Sequence, residues 1–141
     1  MEVKVLNTCK EKEEVINWFN AIGWKGMAKE LFPATSYVVY DKDIPVASSY
    51  FYKGEGAPIA VLGITISNPD YKLDKTSYIN LLLDKIIQEM KHKKCIICYH
   101  HTDIHSEKFM QRYMKPRGFV YNKGFSGAVS LVQSANTDFI I

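Results

Sequence analysis

The chain has little of what marks a membrane, secreted or fibrous protein. No stretch approaches the roughly 18 uninterrupted apolar residues of a membrane span. The longest apolar run, Ile59 to Ile66, is interrupted by Gly63 and Thr65. The N-terminus, Met-Glu-Val-Lys-Val, lacks the apolar core of a signal peptide. Only three cysteines occur (Cys9, Cys95, Cys98), an odd number without framework spacing, which suits a reducing compartment. Proline and glycine are too scattered for a linker or a low-complexity tract. A charge bias is missing as well: 18 Lys and Arg against 15 Asp and Glu leave +3. A dedicated nucleic-acid binder carries a clustered basic stripe, and here basic residues gather only weakly, between Lys85 and Lys94. The expectation is a cytoplasmic protein that partners neither membrane nor nucleic acid.

What is present is a globular composition, 47% apolar and 13% aromatic over 141 residues, enough for a single domain over 1–141. Val3 to Leu6 reads as a first strand. Thr8 and Glu11 form a capping box that opens a helix with Val15, Ile16, Phe19 and Ile22 on its apolar side, stopped at Gly23. A second short helix is expected from Lys25 to Leu31, ended by Pro33. The period then changes. Tyr37 to Tyr40, Pro45 to Tyr52 and Pro58 to Ile66 are β-branched and aromatic runs separated by turn chemistry, and such short connections force an antiparallel meander. Gly63 inside the third run predicts a bulge or a close backbone approach. Asn68-Pro69-Asp70 ends it, and a helix from about Asp74 to His92 follows, with Ile79, Leu82, Leu83, Ile86 and Met90 on one face. Cys95 to Tyr99 reads as a strand reached by a parallel crossover. A fourth helix, Ser106 to Lys115, and strands near Phe119–Asn122 and Ala128–Gln133 complete the order, with a loosely held tail from about 134. The fold class is α/β in the broad sense (α+β): a mixed, mostly antiparallel sheet of six to seven strands with about four helices, ordered β-α-α-β-β-β-α-β-α-β-β.

That order resembles the GNAT superfamily of acetyl-CoA-dependent N-acyltransferases. The segment VVYDKDIPVASSYFY looks like the family's second and third strands, and IAVLGITISNPDYK like its fourth strand running into the cofactor loop. FMQRYMKPRGFVY looks like its last helix, which ends in Tyr, a few residues, then Gly-Phe. The likeness runs from Val3 to about Gln133, and some phage-encoded acetyltransferase-like proteins have a similar Ser-Asn-Pro turn. It implies acetyl-CoA as co-substrate, an amine acceptor and a homodimer. The family's pyrophosphate loop is glycine-rich, so that backbone amides at a helix N-terminus close on phosphate oxygens. This chain departs from it: Lys75 and Ser77 stand where the two glycines are expected.

The resemblance assigns cofactor binding to Ile66, Ser67, Lys72, Lys75, Thr76, Ser77 and Ser106. Among these, the Ile66 and Ser67 region matches the strand amide that polarises the thioester carbonyl. Tyr113, five residues before Gly118-Phe119, matches the acid that protonates the departing thiolate, although Met114 holds the neighbouring slot. Read without the family, Tyr113 is a core tyrosine beside Phe109. The strand where family bases lie carries no carboxylate, which leaves His101 or His100, or water, as the base. Taken alone, each histidine is a partly exposed residue at a strand end.

Cys95-x-x-Cys98 with His100, His101 and His105 has the look of a metal cluster. Within one strand, however, positions 95 and 98 face opposite sides, and buried thiols filling space account for them without metal. Trp18, Trp24, Tyr50 and Tyr52 are candidate linings of an acceptor groove, with Trp24-Lys25-Gly26 as its lip. The leading expectation is an N-acetyltransferase working by direct transfer to a primary amine. The alternative is a catalytically inactive module of the same fold that binds a protein or another ligand.

Overall fold

The computed structural model describes residues 1–101, 107–122 and 127–131, which form two compact units interleaved in sequence. The first comprises Met1–Phe51 with Thr65–Ile86, and the second Tyr52–Ile64 with residues 87 onward.

In the first unit, β1 (Glu2–Val5), β2 (Ser36–Asp41) and β3 (Ile44–Lys53) form antiparallel ladders, and the two-residue β5 (Ile66–Ser67) pairs antiparallel with β3. The hairpin between β2 and β3 turns on Lys42 and Asp43. Lys42 adopts φ 55°, the left-handed region that matches strand twist in tight hairpins. Helix α1 (Cys9–Ala21) begins with the expected box: the Glu11 N–H donates to Thr8 Oγ1 (3.1 Å) and the Thr8 N–H to Glu11 Oε1 (3.3 Å). It ends at Gly23, where φ of 86° lets the Trp24 N–H reach the Phe19 carbonyl and the Gly23 N–H the Asn20 carbonyl, both at 3.0 Å. The Trp24 ring then lies edge-on to Phe19, centroids 6.4 Å apart.

The core of this unit is built from Leu6, Val15, Trp18, Phe19, Val38, Val39, Val46, Ala47 and Phe51 with Leu82, Leu83 and Ile86 of α2 (Thr76–His92). Each large apolar side chain buried there contributes about 1.5–3 kcal/mol relative to exposure. Two expectations for α1 change. Ile22 falls on the cap, outside the helix, and is 58% exposed, while Trp18 takes the buried position. The helix expected over Lys25–Leu31 shrinks to a 3-10 turn, Lys29–Leu31, because the cap runs through Trp24 and Pro33 follows closely.

In the second unit, β4 (Ile59–Leu62) pairs parallel with β6 (Ile97–His101), the single parallel ladder among the described residues. Strand β8 (Gly127–Leu131) inserts between β6 and β7 (Val120–Asn122), antiparallel to both. Helix α3 (Glu107–Phe109) continues as a π-helical turn, Met110–Met114, and a 3-10 turn, Lys115–Arg117, closed by Gly118 at φ 85°.

The class holds: mixed α+β with mostly antiparallel strands. The described residues contain eight strands because the Pro58–Ile66 run breaks at residues 63–65 into β4 and β5. Gly63 therefore marks a full interruption of the strand, a stronger effect than the expected bulge. The strand expected over Cys95–Tyr99 begins two residues later, at Ile97.

Candidate active site

Among the described residues β5, with two residues, is the shortest strand. β3 pairs one of its edges, and no strand pairs the other among the described residues. Successive N–H groups of an extended chain point to opposite edges. The Asn68 N–H donates to the Val46 carbonyl of β3 at 2.8 Å, so the Ser67 N–H faces the open edge and the Ile66 N–H faces β3. The Ile66 side chain is buried and Ser67 is half-buried. Immediately upstream, at the break, buried Thr65 donates its hydroxyl to Ser49 Oγ (3.1 Å).

The chain leaves β5 through an Asn68-centred turn. Asn68 Oδ1 accepts the Asp70 N–H (2.9 Å), and its Nδ2 donates to the Pro45 carbonyl (2.9 Å). Eight residues after Asn68, α2 begins. The first-turn amides of any α-helix lack intrahelical acceptors and carry the positive end of the macrodipole. Asp74 Oδ1 accepts one of them, that of Thr76 (2.9 Å).

Two ammonium groups flank this helix end. Lys72 is exposed and donates to the Pro69 carbonyl (2.8 Å). Lys75 is half-buried and reaches back to Ser67 Oγ (3.5 Å). Burial, and then the neighbouring Lys72 charge, lowers the Lys75 pKa. The structure thus brings Ser67 and Lys75 into contact, with Lys72, Thr76 and Ser77 on the same loop and helix start. These residues fit a phosphorylated ligand in charge and in helix polarity. The loop has no glycine, and Lys75 stands where the first was expected.

The remaining expected residues belong to the second unit or fall outside the described residues. Tyr113 sits in the π-helical turn, 6% exposed, its ring tilted against Phe109 (centroids 4.9 Å), and its carbonyl accepts from Arg117 Nη1 (2.8 Å). Met114, in the neighbouring slot, is also buried. His101 ends β6, and Ser106 lies outside the described residues, as do His105 and the tail from 134. His100 differs from expectation. Because β6 runs on to His101, past the expected end at Tyr99, His100 is an interior strand residue opposite Leu62 and Ala128, 2% exposed and edge-on to Phe119 (6.2 Å).

Both Cys95 and Cys98 are buried. Burial pushes the Cys98 thiol up to about 12, against a backbone hydrogen bond from Leu62 that lowers it. Among the described residues no three His, Cys, Asp or Glu side chains gather into a metal-holding group. No described helix is long and apolar enough to cross a membrane. Of the candidate groove aromatics, Trp18 and Tyr50 are core, Tyr50 meeting Phe32 edge-on (5.9 Å), while Trp24 and Tyr52 are exposed.

Sequence reasoning overlooked the anchoring of the loop. Tyr71 is buried, and its hydroxyl donates to Asp41 Oδ2 on the β2–β3 hairpin (2.8 Å). A Tyr-Lys pair just before a helix start was the available signal, but its partner lies 30 residues away.

No protein-family model matches the chain, and no curated protein matches it in sequence. Solved structures do match in fold. The N-acetylglutamate synthase of Neisseria gonorrhoeae, complexed with coenzyme A and N-acetyl-glutamate, aligns with a TM-score of 0.72 at 9% identity over 94% of this chain. The alignment covers 35% of that synthase, so this chain spans about a third of its length. A GNAT-family acetyltransferase from Staphylococcus aureus Mu50 aligns with a TM-score of 0.68 at 14% identity, over 94% of this chain and 99% of its own. The ribosomal-protein-S18-alanine N-acetyltransferase of Escherichia coli gives 0.67 at 10% identity, with 99% of both chains covered. At such identities the likeness concerns architecture: the chain has the fold of the GNAT acetyltransferases.

Proposed function

We propose that the chain is an acyl-CoA-dependent N-acyltransferase that moves an acetyl group from acetyl-CoA directly to a primary amine. One observation carries this reading: a strand edge at β5, unpaired among the described residues, runs through a fixed turn into a helix N-terminus flanked by Lys72 and Lys75. Such an edge offers backbone hydrogen bonds to an extended amide-bearing arm, and the helix end with two cations suits a pyrophosphate. The solved neighbour complexed with coenzyme A shares the fold, which supports the same ligand class here.

Each residue then has a role. Lys72 and Lys75, with the Thr76 and Ser77 turn of α2, hold the phosphates, and Ser106, outside the described residues, is assigned to the cofactor by the GNAT resemblance alone. The Ser67 N–H polarises the thioester carbonyl, and Ile66 packs beneath the strand. His101, or water, accepts a proton from the incoming ammonium so that its lone pair can attack. Tyr113 protonates the thiolate as the carbon–sulfur bond breaks. The test is release of free coenzyme A thiol from acetyl-CoA with a panel of primary amines. Tyr113→Phe should lower kcat by about a hundredfold, the scale of one positioned acid, with KM for acetyl-CoA little changed. An unchanged kcat would remove Tyr113 from the chemistry.

A second reading rests on the Lys75–Ser67 contact, which engages the ammonium that a phosphate would need. If that contact persists against added cofactor, the chain is a binding module with the same fold. Acetyl-CoA binding without turnover of any amine would favour a ligand-binding module, and absence of binding a macromolecular partner.

A further inference from the structure

The segment 68–78 has no glycine to shape it, yet it is anchored at three points to one hairpin. The Asn68 N–H donates to the Val46 carbonyl, Asn68 Nδ2 donates to the Pro45 carbonyl, and the Tyr71 hydroxyl donates to Asp41 Oδ2. The first two fix where the segment leaves β5. The third fixes its middle, because Tyr71 is 7% exposed and its ring lies edge-on to Tyr78 (5.7 Å) in the first turn of α2. Asp41 itself ends β2, paired with Ile44 and beside the left-handed Lys42 of the two-residue turn. In a glycine-rich loop, closeness of backbone to phosphate sets the ligand's position. Here side-chain donors must do so, and long lysine side chains position a ligand only if their backbone is held.

We infer that Asp41 is a positioning residue for the donor site: through Tyr71 and Tyr78 it holds Lys72, Lys75 and the start of α2 in the arrangement that receives the phosphates of an acyl-CoA. This rests on the proposed acyltransferase reading for the identity of the ligand, but the strap itself stands on geometry alone. The Tyr71 phenol is held above its ordinary pKa by its hydrogen bond with Tyr78, by burial, and by Asp41, and so it stays a donor throughout the neutral range.

The experiment compares wild type with Asp41→Ala, Tyr71→Phe and Asp41→Asn, reading amide hydrogen exchange over 68–78 and acetyl-CoA affinity by calorimetry. Asp41→Ala and Tyr71→Phe should each speed exchange across 68–78 by about tenfold, the factor expected for losing a hydrogen bond to a charged acceptor. Exchange in α1 should be unchanged, and acetyl-CoA should bind about tenfold more weakly. Asp41→Asn keeps an acceptor oxygen and should restore most of both. Unchanged exchange over 68–78 in Asp41→Ala overturns the strap, as does equal acceleration throughout the first unit, which would mean loss of stability alone. Faster local exchange with unaltered affinity overturns the positioning role. If wild type binds no acetyl-CoA, the acyltransferase reading and the phosphate role both fall, and the exchange arm still decides whether Asp41 holds the segment.

Discussion

A thiol in water ionises near 9.0, and burial in the second unit pushes Cys98 up to about 12, partly opposed by its hydrogen bond from the Leu62 backbone. Cys95 shifts the same way, chiefly through burial, while Cys9 is exposed at the start of α1. Thiol reagents attack the thiolate. At about pH 8, native protein should therefore yield one fast-reacting thiol and Cys9→Ser none, whereas denatured protein yields all three. Fast modification of Cys98 in the native state would contradict its burial. The sign of the linked stability follows. The folded thiol binds its proton more tightly than the unfolded one, so its stabilisation is complete below about 9.0 and is lost as pH rises toward 12. Sequence alone read Cys95 and Cys98 correctly as buried thiols but misread His100. The error was one of boundary: β6 ends two residues later than expected, at His101, which moves His100 from strand end to strand interior, and a period-2 pattern cannot fix that boundary.

Among the elements, α1 was the most legible because both of its ends are written locally. The Thr8–Glu11 box spans four residues, and the Gly23 stop needs only its own φ of 86°. Thr8→Ala should cost about 1 kcal/mol. Gly23→Ala should cost about 1–2 kcal/mol through backbone strain alone, because nothing lies within 4 Å of the Cβ it would gain. Urea midpoints at constant slope would measure both, and a neutral Gly23→Ala would contradict the left-handed cap. The expected helix over Lys25–Leu31 failed for a reason outside its own composition. The cap of α1 consumes Trp24, Pro33 closes the far end, and a segment that short does not repay helix nucleation. The break at 63–65 was signalled by Gly63, but its extent depends on β4 pairing with β6 while β5 pairs with β3, contacts that no local pattern records.

At the scale of the molecule, the change from helical to strand period and the turn residues between strands were enough to order the elements, and the GNAT architecture came from the resemblance of that order and of three segments to the family. The site was less legible. Lys75 and Ser77 announced a departure from the glycine loop, but the Lys75 contact with Ser67 and the Asp41–Tyr71 strap arise only when residues far apart in sequence meet. The central claim is that this altered loop still receives the phosphates of acetyl-CoA. Calorimetric titration of the purified protein with acetyl-CoA, with dephospho-coenzyme A as the control for phosphate contacts, tests it most directly. The account predicts binding in the micromolar range, about −8 kcal/mol, weakened in the control. Absence of binding at millimolar acetyl-CoA would contradict it and leave a GNAT fold whose ligand is something else.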